Sequence, residues 1–97
     1  MTLPGLERSV SGFETLTVGS TAVGPTAAST INATAAHFGP LETQQVRWRA
    51  DGAAPTASVG ALLEVGQTLS LEGDAARKVQ FIKTGGSDAA LPVHYFA

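Results

Sequence analysis

The sequence predicts an all-β protein, a small antiparallel β-sandwich or barrel of about seven to eight short strands with an extended N-terminal arm. Three observations carry that expectation. Short runs of Val, Ile, Thr and aromatic residues alternate with polar ones. Turn signals such as Gly24-Pro25, Asp51-Gly52 and Gly85-Gly86 separate them about every 8–12 residues. Apolar residues nowhere recur with helical period over a useful length. A jelly-roll order of strands is compatible with this spacing.

The first twelve residues hold Pro4, Gly5, Gly12 and scattered Leu3, Leu6 and Val10, with neither period, and read as an arm. Residues 13–97 read as one β-domain. Phe13 to Val18 alternates, placing Leu16 and Val18 on one face, and Gly19-Ser20 closes the run. Ala28 to Thr34, centred on Ile31, reads as a weaker strand because its threonines disfavour an alanine-based helix. His37-Phe38-Gly39-Pro40 reads as a turn. The strongest strand is Gln44 to Ala50, with Val46 and Trp48 inward and Gln45, Arg47 and Arg49 outward. A loop follows through Pro55 and Thr56, then strands over Val59 to Val65 and Gln67 to Glu72. In the second of these, Leu69 and Leu71 point inward. Asp74 to Arg77 suits one helical turn, and Lys78 to Thr84 and Leu91 to Phe96 complete the set.

Composition limits the core and the chemistry together. Of 97 residues 43% are apolar, but 16 are alanine, which buries little area. Fully burying a large side chain is worth roughly 1.5–3 kcal/mol, against an ordering cost of about 1.5 kcal/mol per residue. So thin a core predicts a domain stabilised by self-association. Without cysteine there is no disulfide framework, thiolate metal site or cysteine nucleophile. A net charge of −2, with 14% charged residues, offers no basic footprint for nucleic acid. No stretch reaches the roughly 20 apolar residues of a membrane span, and Met1 to Gly12 lacks the pattern of a secretory signal.

Catalytic patterns are equally scarce, and the expectation is a protein that is not an enzyme and uses no cofactor. His37 and His94 lie far apart, neither with a carboxylate or second histidine at ligand spacing, so no metal site is expected. An exposed strand position accounts for His94. No serine sits in a nucleophile-elbow pattern, and Gly85-Gly86 lacks the lysine and helix of a phosphate loop. Asn32-Ala33-Thr34 matches a glycosylation acceptor, but with no export signal beside it.

One constellation remains: Arg47, Arg49 and Asp51 beside the 52–60 loop. The arginines either pair with cross-strand acids such as Glu72 on a solvated face or reach a neighbouring subunit, where the planar guanidinium suits carboxylates. Trp48, sharing a face with Val46, reads as a core anchor rather than a ligand platform.

The segment VRWRADGAAPTASVG (Val46 to Gly60), with LLEVGQTLSLEGD and VQFIKTGGSDAALPVHYF after it, resembles a type of small β-rich structural protein of tailed bacteriophages and prophages. The likeness spans about residues 44–96 and rests on Arg47, Trp48, Arg49, Asp51, Gly52, Pro55, Thr56 and Gly60. It implies a virion component, most like a capsid decoration (cement) protein, assembled in the host cytoplasm and bound to the capsid surface. The expected partners are the major capsid protein and further copies of the chain, as a homo-oligomer with a trimer favoured. The candidate contact residues are Leu3, Leu6, Val10, Arg47, Arg49, Asp51, Pro55 and Thr56. A tail or connector subunit, or a module binding a surface glycan or receptor, are the competing expectations.

Overall fold

The first described strand is a long edge strand, β1 (Val10–Val18), whose polar and apolar residues alternate towards a buried Leu16 and Val18. The structure, a computed structural model, describes residues 10–26 and 33–97. The further strands are β2 (Ala35–Phe38), β3 (Val46–Arg49), β4 (Ala61–Leu63), β5 (Leu69–Glu72), β6 (Gln80–Lys83) and β7 (Ala89–Phe96). They form two antiparallel sheets. Sheet A has the order β1-β7-β2-β5, and sheet B the order β4-β3-β6. The fold is therefore a small all-β sandwich.

The core is the set of inward residues that the alternation supplies. Leu16 and Val18 of β1, Phe38 of β2 and Leu91, Val93 and Tyr95 of β7 meet Val46 of β3, Leu63 of β4 and Phe81 of β6. Leu41 and Val79, from the connections, fill the layer, and Trp48 packs against it while partly exposed. Across the two sheets the Phe38 and Phe81 rings meet at 5.1 Å between centroids and 49° between planes. Such tilted pairs add about 0.5–1.5 kcal/mol beyond their burial.

Sheet B has a makeshift fourth rung. Val23 N donates to Phe81 O at 2.9 Å and Phe81 N to Val23 O at 2.7 Å, while Lys83 N donates to Gly19 O at 3.1 Å. The 19–23 segment thus covers the β6 edge, which would otherwise present unpaired donors and acceptors. Between β5 and β6 the chain makes one helical turn, α1 (Asp74–Lys78). Asp74 lies in its first turn and Arg77 and Lys78 in its last, as the helix dipole favours. Buried Ala76 anchors it to the core.

Several sequence expectations need correction. Val10 to Gly12, assigned to the arm, belong to β1, with Val10 opposite Phe96 and Gly12 opposite Tyr95 across a local irregularity in register. The rest of the arm, with Leu3 and Leu6, lies outside the described residues, as does most of the strand expected around Ile31. The strand in this region is β2, which takes His37 and Phe38 out of the expected turn. Phe38 is completely buried, so its place is an interior strand, and the turn is confined to Gly39 and Pro40, joined by a cis peptide bond. The strand expected over 59–65 narrows to Ala61–Leu63.

Candidate functional site

In antiparallel sheets with one side on a core, the other side is normally polar. The outer face of sheet A departs from that rule at Phe13, Pro92 and Phe96. Its strands bring four side chains into one row: Phe13 on β1 opposite His94 on β7, His94 opposite His37 on β2, and His37 opposite Ser70 on β5. Side chains opposite one another across such strands stand about 5 Å apart on the same face. The contacts follow the register. Phe13 and His94 have ring centroids 4.7 Å apart with 52° between planes, and His37 Nδ1 lies 3.0 Å from Ser70 Oγ. Phe13 is 56% exposed.

The neighbouring rung explains a groove beside this row. Phe96, Ala35 and Glu72 are opposite one another on β7, β2 and β5. With only a methyl group at Ala35, the taller Phe96, His37, Ser70 and Glu72 enclose an open depression of about 270 Å³. Ala35 is buried without belonging to the inter-sheet core, because it forms the floor of that depression. Pro92 follows on the same side of β7, opposite Thr15. The face therefore presents two phenyl rings, two imidazoles, a proline and small polar groups. Its outward positions over the described strands include one acid, Glu72, and no lysine or arginine.

The arginines singled out from sequence lie on β3 of the other sheet, with Asp51, Pro55 and Thr56 in the loop that follows. Arg49 and Asp51 form a bidentate pair, with Nε to Oδ1 at 3.1 Å and an Nη to Oδ2 at 2.6 Å. The bond to Arg49, and then the Ala53 N–H, hold the Asp51 carboxyl below its ordinary range. The same bond and the Asp51 charge raise the pKa of Arg49. Arg47 is spent on the backbone, donating from Nε to Ala57 O at 3.0 Å and from an Nη to Gly60 O at 2.8 Å. Neither arginine meets Glu72, which belongs to sheet A, so the expected cross-strand pairing is replaced by local bonds.

Arg47 thereby ties down the 51–60 loop. Thr56 and Val59 exchange backbone hydrogen bonds at 2.9 and 3.2 Å, and Thr56 Oγ1 accepts from Ser58 N. Gly60 takes a φ of 137°, and a Cβ there would lie 3.0 Å from Trp48 O, so the close return of the loop onto β3 needs glycine. Pro55 is buried inside the loop, while Asp51 and Thr56 are exposed and Arg47 and Arg49 partly so. Val10 is exposed at the start of β1. The apolar residues Val59, Leu62 and Val65 are exposed around β4. No three His, Cys, Asp or Glu converge among the described residues.

The ring-bearing face has no signature within any one stretch of sequence, because its members come from four strands. One partial signal was available. Ala89 to Phe96 carries apolar or aromatic residues at nearly every position, the mark of a strand covered on both sides rather than one.

Comparison of the chain with family models, with curated proteins and with solved structures finds no match in any of the three.

Proposed function

We propose that this chain is a non-catalytic virion structural protein, a capsid decoration subunit that binds the shell of a tailed phage and strengthens it. The observation that carries the reading is the outer face of sheet A, where Phe13, Pro92 and Phe96 occupy positions that an exposed sheet normally fills with polar side chains, with the rings of His37 and His94 between them. A face of rings with almost no charge gains by being covered, and a large partner surface such as a capsid lattice can cover it. The exposed apolar residues Val59, Leu62 and Val65, on and around β4, leave another side for a neighbouring subunit. The likeness of residues 44–96 to phage structural proteins supports the same reading.

Reconstruction of particles assembled with and without this chain tests the proposal. Density for the sandwich on the outside of the shell, absent when the chain is omitted, is the expected result. Density on the tail axis would reassign the chain to a tail or connector, and absence from the particle would reject a virion role. The mass in solution bears on the same point. A trimer fits shell decoration, and a six- or twelve-fold ring fits the tail.

A second reading has its own observation. Rings standing beside a groove that holds the Ser70 hydroxyl and the Glu72 carboxylate also suit a sugar, as in a glycan- or receptor-binding module. Saturation-transfer NMR against a panel of surface glycans separates the two, since a decoration subunit gives no transfer from the protein to any glycan, whereas a glycan-binding module gives transfer that Phe13→Ala or Phe96→Ala removes.

A further inference from the structure

We propose that His37 and His94 form a two-imidazole site for a borderline divalent cation, Zn²⁺, Cu²⁺ or Ni²⁺, on the outer face of sheet A. The inference is independent of the capsid reading. The two histidines, which lie in different halves of the sequence, are brought to the same rung by the antiparallel pairing of β2 with β7. Opposite residues share a face with Cβ atoms about 4.5–5.5 Å apart. Two imidazoles at that separation close on one ion through side-chain rotation alone, each at about 2.0–2.1 Å for zinc.

The surroundings favour this use of the pair. Ser70 Oγ lies 3.0 Å from His37 Nδ1. A cation on His37 Nε2 selects the tautomer in which Nδ1–H donates to that hydroxyl, the outer-shell arrangement that orients metal-bound histidines. His94 is exposed, and its imidazole reaches His37 by giving up its ring contact with Phe13 on the other side. Nitrogen ligands select zinc, copper or nickel over calcium and magnesium, which need several oxygens. With no third His, Cys, Asp or Glu converging among the described residues, water completes the coordination sphere. The site is therefore open and exchangeable, unlike a closed four-ligand structural centre.

The test uses the full chain without a histidine tag. Zn²⁺ is titrated by calorimetry, and Cu²⁺ at substoichiometric levels is followed by paramagnetic broadening in NMR. One ion per chain is expected, with broadening centred on His37, His94, Phe13 and Ser70. His94→Gln and His37→Gln each weaken binding by at least about tenfold, because the second imidazole acts at high effective concentration. Ser70→Ala weakens it by up to about tenfold through the lost outer-shell contact. Ca²⁺ and Mg²⁺ do not compete. The doubly substituted chain reports any binding at the terminal amine. His94→Gln, an exposed change, decides the matter even if His37→Gln disturbs folding. An affinity unchanged by His94→Gln, or broadening centred on Met1, overturns the proposal.

Discussion

The Tyr95 hydroxyl donates to Glu14 Oε2 at 2.5 Å, joining the last strand to the first on the inner side of sheet A. The same oxygen accepts from Thr26 N at 3.2 Å, so it also holds the end of the segment that covers β6. Tyr95 is completely buried. Its pKa is pushed well above the ordinary 10.0, first by burial and then by the hydrogen bond and charge of Glu14.

Because Tyr95 is the only tyrosine, its ionisation can be followed by absorbance without interference. The native protein is expected to show no phenolate near pH 10, where the urea-unfolded chain titrates. A pKa raised on folding contributes stability that is complete below the unfolded value and is lost as pH climbs from about 10 towards the folded value. Stability should therefore fall with alkali in that range. A native midpoint close to 10 would show that the phenol is open to solvent.

Replacing Tyr95 by Phe removes the donor and leaves the carboxylate with Thr26. Hydrogen bonds to charged groups contribute about 1.5–3 kcal/mol, so urea denaturation should show a loss of that order. The alkaline fall in stability should vanish with the hydroxyl. If the fall persists in Tyr95→Phe, its origin lies in another group.

Phe38 and Phe81 form a ring contact between the two sheets. A double-mutant cycle with Phe38→Leu and Phe81→Leu should return a coupling of about 0.5–1.5 kcal/mol. Additive losses would mean that each ring is held by its own sheet alone.

Arg47 should matter more for the loop than for the fold. Arg47→Lys keeps the charge but loses the fork that reaches both Ala57 O and Gly60 O. Amide exchange at Thr56 and Val59 should quicken several-fold while that of Phe81 and Val93 stays unchanged. Equal acceleration at all four amides would place Arg47 in global stability instead.

Gly24 lies so close to β6 that a Cβ would stand 2.4 Å from Val79 O. Gly24→Ala must push the covering segment off sheet B, and exchange protection at Phe81 N–H, which depends on Val23 O, should drop. By contrast a Cβ at Gly86 meets nothing within 4 Å, and Gly86→Ala should leave that amide protected.

The sandwich was legible in the sequence because its alternation is local. Leu16 and Val18, Val46, Leu69 and Leu71 take the positions that period-two patterning assigns them, and Asp51-Gly52 and Gly85-Gly86 lie at bends between strands. Gly24-Pro25, expected as a turn, instead continues the segment that covers β6. β2 was missed because His37 and Phe38 are followed at once by Gly39-Pro40, and turn chemistry outweighs two residues of strand pattern. The arginines were found as a pair, but their partners were not, since bonds to Ala57 O and Gly60 O involve backbone that no residue type announces. The ring-bearing face is the least local feature of all. It exists only once β7 has inserted between β1 and β2, and no spacing within one strand encodes it.

That insertion has a consequence for the order of assembly. β7 follows every other described strand in sequence, yet it supplies Leu91, Val93 and Tyr95 to the core and hydrogen-bonds both flanking strands. Until β7 docks, β1 and β2 have no common neighbour among the described strands, and the four-strand order of sheet A cannot form. The edges that β7 will pair stay open to other copies meanwhile. A chain cut before Tyr95 should yield insoluble product rather than a shortened sandwich.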